Sequence, residues 1–267
     1  MAVKVLNDRY EVQKQLGKKA KQLTLLGRDL QMDRLVVIKI LGLDASEAAM
    51  IARYEQEMET LRSLSHPAIP VYIDSFRYPL RNAEGFAIVQ AYVPARNMRD
   101  LLRQGRVFTE SEAKQIAKNA LDALVYLHGL SPPVLHRNIK PSNVLVELDS
   151  NNTVGQVSLL DFGSIQAAAT LDDSSSKIMA SYEYTAPEHF AGSPVFASDL
   201  YSLGTTLITA LTGTHISELP RKGARILFED AVNLSTEFAD WLKRMTDPNL
   251  LTRLPSAQIA LMTVLMM

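Results

Sequence analysis

Four short motifs, standing in one order along the chain, constrain this sequence more than any other feature. The first is Leu135-His136-Arg137-Asn138-Ile139-Lys140-Pro141-Ser142-Asn143-Val144-Leu145. Asp161-Phe162-Gly163 begins eighteen residues past Asn143, Ala186-Pro187-Glu188 follows, and Asp199-Leu200-Tyr201-Ser202-Leu203-Gly204 comes last. Any one tripeptide says little, since Asp-Phe-Gly alone reads as an ordinary turn. The ordered set is far more specific.

The hydrophobic pattern around these motifs divides the chain in two. Tyr10 to Leu16 alternates apolar and polar residues, and strand-like runs follow at Leu23–Leu26 and Leu35–Leu41, the second after a turn-prone Met32-Asp33-Arg34. Val71–Phe76 and Phe86–Val89 are two further short strands. One helix is predicted among them: Asp44-Ala45-Ser46-Glu47 has the form of a capping box, Ile51, Tyr54, Met58 and Leu61 recur at helical spacing, and Ser65-His66-Pro67 stops it. From Val93 onward helices dominate. Thr109-Glu110-Ser111-Glu112 caps a helix whose Ile116, Ala120, Leu121, Leu124 and Leu127 share a face. Two short strands lie between Val134 and Leu160, and an irregular segment runs from Gly163 to about Tyr184. Asp199–Leu211 is apolar nearly all round and reads as a buried central helix; Phe238, Trp241, Leu242 and Met245 mark another. The expected fold is α+β, one domain over 1–267, with a small β-rich lobe over 1–92 that carries one helix and a larger helical lobe over 93–267.

Composition narrows the classes of function. The formal net charge is -1, which supplies no basic field for nucleic acid. The absence of cysteine excludes a disulfide framework, a thiolate zinc site and a cysteine nucleophile. No signal-peptide pattern opens the chain and no apolar run is long enough to span a bilayer, so a cytoplasmic location is expected. The tail Ala260–Met267 is too short to span and reads as the end of a buried helix.

The ordered motifs resemble those of protein kinases, whose catalytic loop is written His-Arg-Asp-x-Lys-Pro-x-Asn. The resemblance runs from Tyr10 to about Ala257. The Tyr10 opening, the Gln90 segment and the Lys-Lys-Ala loop most resemble bacterial, cyanobacterial, serine/threonine kinases. The resemblance implies a two-lobed kinase fold, ATP and magnesium as cofactors, and a protein substrate or a regulatory protein partner. Asp161 would be a hard oxygen ligand for magnesium and Asn143 a neutral one. Lys140 would steady the transferred phosphoryl group, which favours the serine/threonine branch. Val36-Val37-Ile38-Lys39 resembles the family's Val-Ala-Ile-Lys strand, so Lys39 would contact the α- and β-phosphates, with Glu57 as its ion-pair partner. In Val89-Gln90-Ala91-Tyr92-Val93, Gln90 would be the gatekeeper and the backbone of Ala91 and Val93 would hydrogen-bond adenine. By the same resemblance, Gly17 and Leu145 would be the remaining nucleotide contacts. Glu188 would form a buried ion pair with Arg253.

The sequence departs from the family at several places. Only Gly17 survives of the glycine-rich loop, with Lys19 and Gln22 at the other two glycine positions and Lys18 and Lys21 nearby. Either the lysines replace backbone dipoles with side-chain charge, or they are solvated and the loop stands off. Val37 replaces alanine above adenine. Ala180-Ser181-Tyr182-Glu183 stands where Gly-Thr-x-Gly is usual. Thr170, Ser174, Ser175, Ser176 and Ser181 offer hydroxyls for regulation beside Arg137, or form a plain loop tip. Most consequential, Asn138 occupies the place of the aspartate that accepts the substrate's proton. Two histories fit: an active enzyme carrying an Asp-to-Asn change, or a native pseudokinase. A small-molecule kinase of the aminoglycoside or choline kinase type is a third reading, but those usually lack Ala-Pro-Glu and the Arg253 type of anchor.

Overall fold

In the computed structural model the chain is described over residues 4–18, 22–43, 58–79, 84–161 and 183–267. It divides into two compact units, the first closing at Val93 and the second opening at Pro94.

The first unit is a six-stranded antiparallel sheet of β1 (Val5–Leu6), β2 (Tyr10–Lys18), β3 (Gln22–Asp29), β4 (Arg34–Leu43), β5 (Tyr72–Pro79) and β6 (Glu84–Ala91), in the order β1-β2-β3-β4-β6-β5. The strands run longer than the apolar runs that announce them, because pairing with a neighbour carries the ladder on through polar residues such as Gln22 and Arg34. Strict alternation sets the faces. Val36, Ile38 and Ile40 join Leu6, Tyr10, Leu25 and Val89 in the core, whereas Val37 and Lys39 point to the opposite face and are half-buried. The sheet is strongly curled, since β2 and β5 are far apart in strand order yet meet. The Tyr10 hydroxyl donates to Asp74 at 2.8 Å and its ring stacks on Phe76 at 5.9 Å. Arg9 clamps the fully buried Asp29 through two bonds of 2.8 and 2.7 Å, and that hydrogen-bonded pairing holds the carboxyl below its usual range. Residues 58–63 are helical and bury Met58 and Leu61. The predicted cap at Asp44–Glu47, with Ile51 and Tyr54, lies outside the described residues.

The second unit begins with β7 (Arg96–Asn97), α1 (Met98–Arg103) and α2 (Glu110–His128). Thr109 and Glu112 form the reciprocal cap expected at the start of α2, and Ile116, Ala120, Leu121, Leu124 and Leu127 are all buried on it. A 3-10 turn (Pro141–Asn143) leads into β8 (Val144–Leu148) and β9 (Val154–Leu159), which with β7 form a small antiparallel sheet. Then come α3 (Pro187–Phe190), α4 (Phe196–Thr212), a hairpin of β10 (Arg221–Lys222) and β11 (Arg225–Ile226), α5 (Thr236–Met245) and α6 (Ala257–Leu265).

Helix α4 is buried along its length from Ala197 to Leu211. Its hydroxyls do not oppose this, because Ser202, Thr206 and Thr209 donate to carbonyls one turn back at 3.1, 2.7 and 3.1 Å. The tail differs from expectation: α6 buries Ala257, Ala260 and Val264, while Ile259, Met262, Leu265 and Met266 are exposed. The reason is packing on one side only. Helix α6 lies against α2 and α5, and Trp241 of α5 donates its indole N–H to the Ala260 carbonyl. Among the described residues, no helix is long and apolar enough to cross a membrane.

Candidate active site

The site in the second unit is built around the loop 135–143. Asp199, in the first turn of α4 and fully buried, organises it. Its carboxylate accepts from the backbone N–H groups of His136 at 2.8 Å and Arg137 at 2.7 Å, and from His128 Nε2 at 3.0 Å. Burial alone would push the Asp199 carboxyl up, but these bonds and the neighbouring histidines hold it below the usual carboxylate range. His136 is itself fully buried, which drives its imidazole down to about 4 and keeps it neutral. A neutral ring suits its contact, because Nδ1 accepts from the Asn138 N–H at 3.3 Å.

Two non-glycine residues of the site have left-handed backbones, Arg137 at φ +62 and Asp161 at φ +57. Such conformations are costly and persist only where surrounding bonds hold them. The Asp199 contact holds Arg137, and Asn138 holds Asp161. The Asn138 side chain donates through Nδ2 to the Asp161 carbonyl at 3.0 Å, while the Asn138 carbonyl accepts from Asn143 Nδ2 at 2.8 Å. Asn138 therefore bridges Asn143 and Asp161. Asn143 is further fixed by its N–H to the Lys140 carbonyl and by its own carbonyl, which accepts from Leu160 N–H, each at 2.8 Å. With its NH2 committed to Asn138, the Asn143 amide oxygen accepts a long bond from Ser142 Oγ at 3.4 Å. Lys140 is extended and half-buried at the head of the 3-10 turn. Among the described residues no cluster of three or more His, Cys, Asp or Glu side chains could hold a metal unaided. The Asp161 carboxylate and Asn143 oxygen suit a hard divalent ion that draws its other ligands from phosphate and water.

The first unit presents a second set. On the face opposite the core, Val37 pairs with Gln90 and Lys39 with Ile88, so Lys39 and Gln90 are diagonal neighbours. Lys39 Nζ donates to Gln90 Oε1 at 2.9 Å. The Ala91 N–H donates to the Val71 carbonyl at 2.9 Å, so the group Ala91 offers a ligand is its carbonyl. Val93 is half-buried at the end of the unit. Gly17, on β2, pairs with Thr24 of β3, with open space where a side chain would begin. In the second unit Leu145 is half-buried on β8 between buried Val144 and Val146, so it faces away from them.

The structure thus joins Asn138, Asn143 and Asp161 in one network and Lys39 with Gln90 in another. Glu57 lies outside the described residues, as do Lys19, Lys21, Phe162, Gly163 and the hydroxyls at Thr170, Ser174, Ser175, Ser176 and Ser181. The Glu188–Arg253 pair is formed. Two bonds of 2.6 and 3.1 Å join them, Ser198 Oγ adds a third to Glu188, and Arg253 also donates to the carbonyls of Ala197, Asp247 and Pro248. Sequence reading missed the Lys39–Gln90 bond and the role of His128. The first was implicit in strand pairing, since adjacent antiparallel strands set Lys39 beside Gln90; nothing local marks His128.

Comparison with known proteins identifies the family and the fold. A family profile described as protein kinase domain matches residues 10–263. Serine/threonine-protein kinase B of Synechocystis is 29% identical over 95% of this chain and 46% of that protein. Serine/threonine-protein kinase PknA of Nostoc is 32% identical over 90% of this chain and 44% of that protein. PknB of Mycolicibacterium smegmatis is 32% identical over 78% of this chain and 33% of that protein. The chain therefore spans less than half the length of these curated relatives. Among solved structures, the kinase domain of Mycobacterium tuberculosis PknI covers the whole chain with a TM-score of 0.73 at 22% identity, a likeness of fold.

Proposed function

The chain belongs to the protein kinase family, and from that premise we propose that it is a serine/threonine kinase domain that binds ATP with magnesium and is crippled in phosphoryl transfer by Asn138. The observation that carries the reading is the bridge through Asn138, which ties together the two candidate magnesium ligands, Asn143 and Asp161. Magnesium, when bound, neutralises the charge on the phosphates. Lys39 would meet the α- and β-phosphates, with Gly17 beside them. The Ala91 carbonyl and the Val93 backbone would bind adenine, with Gln90 and Leu145 against the ring.

In the reaction an acceptor hydroxyl oxygen bonds to the γ-phosphorus, the bond from that phosphorus to the bridging oxygen breaks, and ADP leaves. Lys140 would balance charge on the group in transit. The hydroxyl must also lose its proton. The Asn138 amide commits its NH2 to Asp161, and its oxygen would meet the hydroxyl. That oxygen can orient the hydroxyl but is too weakly basic to take the proton. The acceptor is a serine or threonine of a protein, in keeping with relatives named as serine/threonine kinases.

A second reading, a native pseudokinase acting through a protein partner, is favoured by one detail. An aspartate carboxylate could not donate to the Asp161 carbonyl as Asn138 does, so here asparagine is adapted to its surroundings. Two measurements test the proposal. Millimolar ATP should raise the melting temperature, and more so with magnesium; no stabilisation under either condition overturns ATP binding. Asn138→Asp should then raise phosphoryl transfer about 100- to 10,000-fold, the usual range of general-base contributions. An unchanged rate with ATP still bound selects the pseudokinase.

A further inference from the structure

Lys39 and Gln90 form a contact that the chemistry described so far does not require. Gln90 is buried on β6, and its carboxamide has two different ends. Oε1 accepts from Lys39 Nζ at 2.9 Å, and Nε2 donates to the Pro70 carbonyl at 3.4 Å. A flip of the amide would set oxygen against the Pro70 carbonyl and NH2 against an ammonium, so the two partners together dictate its orientation. Pro70 is in turn fixed beside β6, because the next residue, Val71, accepts the Ala91 N–H at 2.9 Å. Strand register makes Lys39 and Gln90 neighbours on one face.

We propose that Gln90 is a positioning residue for Lys39, and that its carboxamide sets the affinity of this domain for the phosphates of a nucleotide. This rests on the ATP-binding reading above. It gives the gatekeeper position a task directed at the triphosphate, in addition to lining the space for the base.

Calorimetric titration of ATP with magnesium, and separately of adenosine, tests it on four proteins: the unaltered chain, Gln90→Met, Lys39→Met and the double variant. Methionine preserves the length and much of the volume of glutamine but offers no acceptor of comparable strength. Gln90→Met should weaken ATP about 10- to 100-fold, the scale of one hydrogen bond to a charged group, and change adenosine less than about twofold. In the Lys39→Met background the same change should move ATP affinity by less than about twofold, because the group it positions is gone. Equal losses of ATP and adenosine would overturn the inference and make Gln90 a shape determinant. So would tighter ATP binding in Gln90→Met, which would mean that the contact parks Lys39 away from the phosphates. Equal effects of Gln90→Met with and without Lys39 would also overturn it. An unaltered chain that binds adenosine and ATP equally would overturn this inference alone, and one that binds neither would remove the ATP-binding reading itself, and this inference with it.

Discussion

Lys39 shows how one residue's role depends on what its neighbours have lost. In kinases with three loop glycines, backbone amides share the phosphate charge; here Gly17 alone remains, and Lys18, Lys19 and Lys21 surround the other positions. If Lys39 is the anchor, Lys39→Met should weaken ATP more than the same change does in a glycine-rich kinase, while keeping most of the packing of the stem. If a loop lysine carries the charge instead, Lys39→Met should weaken binding little and a triple Lys18, Lys19, Lys21→Ala variant should weaken it greatly. ATP affinities of both variants by calorimetry decide between the two anchors. The identities of the candidate residues were legible, because the motifs that hold them are contiguous or nearly so. Their partners were not. Nothing in the sequence near Asn138 announces that its side chain holds the Asp161 backbone, since that bond spans 23 residues and needs the left-handed turn at Asp161.

Elements were more readable than contacts, for a reason visible in α2 and α4. The Thr109–Glu112 cap and the apolar face of α2 are local patterns, and both formed where the pattern put them. The all-round apolarity of α4 announced its burial, but not which residue lies at its closest crossing. That residue is Gly204, where a Cβ would stand 2.6 Å from Thr246 Cγ2 and 2.9 Å from Met245 Cβ at the end of α5. Alanine would favour the helix by about 1 kcal/mol. The overlap should cost about 1–3 kcal/mol and outweigh that gain. Gly204→Ala is therefore expected to lower the urea midpoint, and an equal or raised midpoint would mean that α5 yields without strain. Helix α6 illustrates the converse. Its apolar tail read as buried, yet which side of it is covered depends on where α2 and α5 lie.

For the molecule as a whole, the buried groups around the loop 135–143 predict acid lability in two stages. His136 is held neutral down to about 4 in the folded chain, against 6.5 for an ordinary histidine. Between these values the unfolded chain binds a proton that the folded chain does not, so stability falls as pH falls, by up to on the order of 3 kcal/mol. The carboxyls of Asp199 and Glu188 lie below their ordinary range, where bonds from His128 and from Arg253 and Ser198 outweigh the upward push of burial. Their contribution is present above the ordinary carboxylate range and is lost as pH drops through their lowered folded values. Urea denaturation at pH 7.5, 6 and 5 should show a steeper loss in the unaltered chain than in His136→Gln; equal slopes would mean that His136 does not carry the first stage. The amino-acid sequence by itself determined the resemblance to the family, the order of the longer strands and helices, and the residue types at the site, because periodicity, capping and motif spacing are properties of neighbouring residues. Only the tertiary structure decided that Gln90 meets Lys39, that Asp199 orders the loop, that Asn138 links Asn143 to Asp161, and that α6 is covered on one side. Those outcomes follow from strand register, from positive-φ turns and from the packing of distant helices, each of which needs the rest of the fold to be in place.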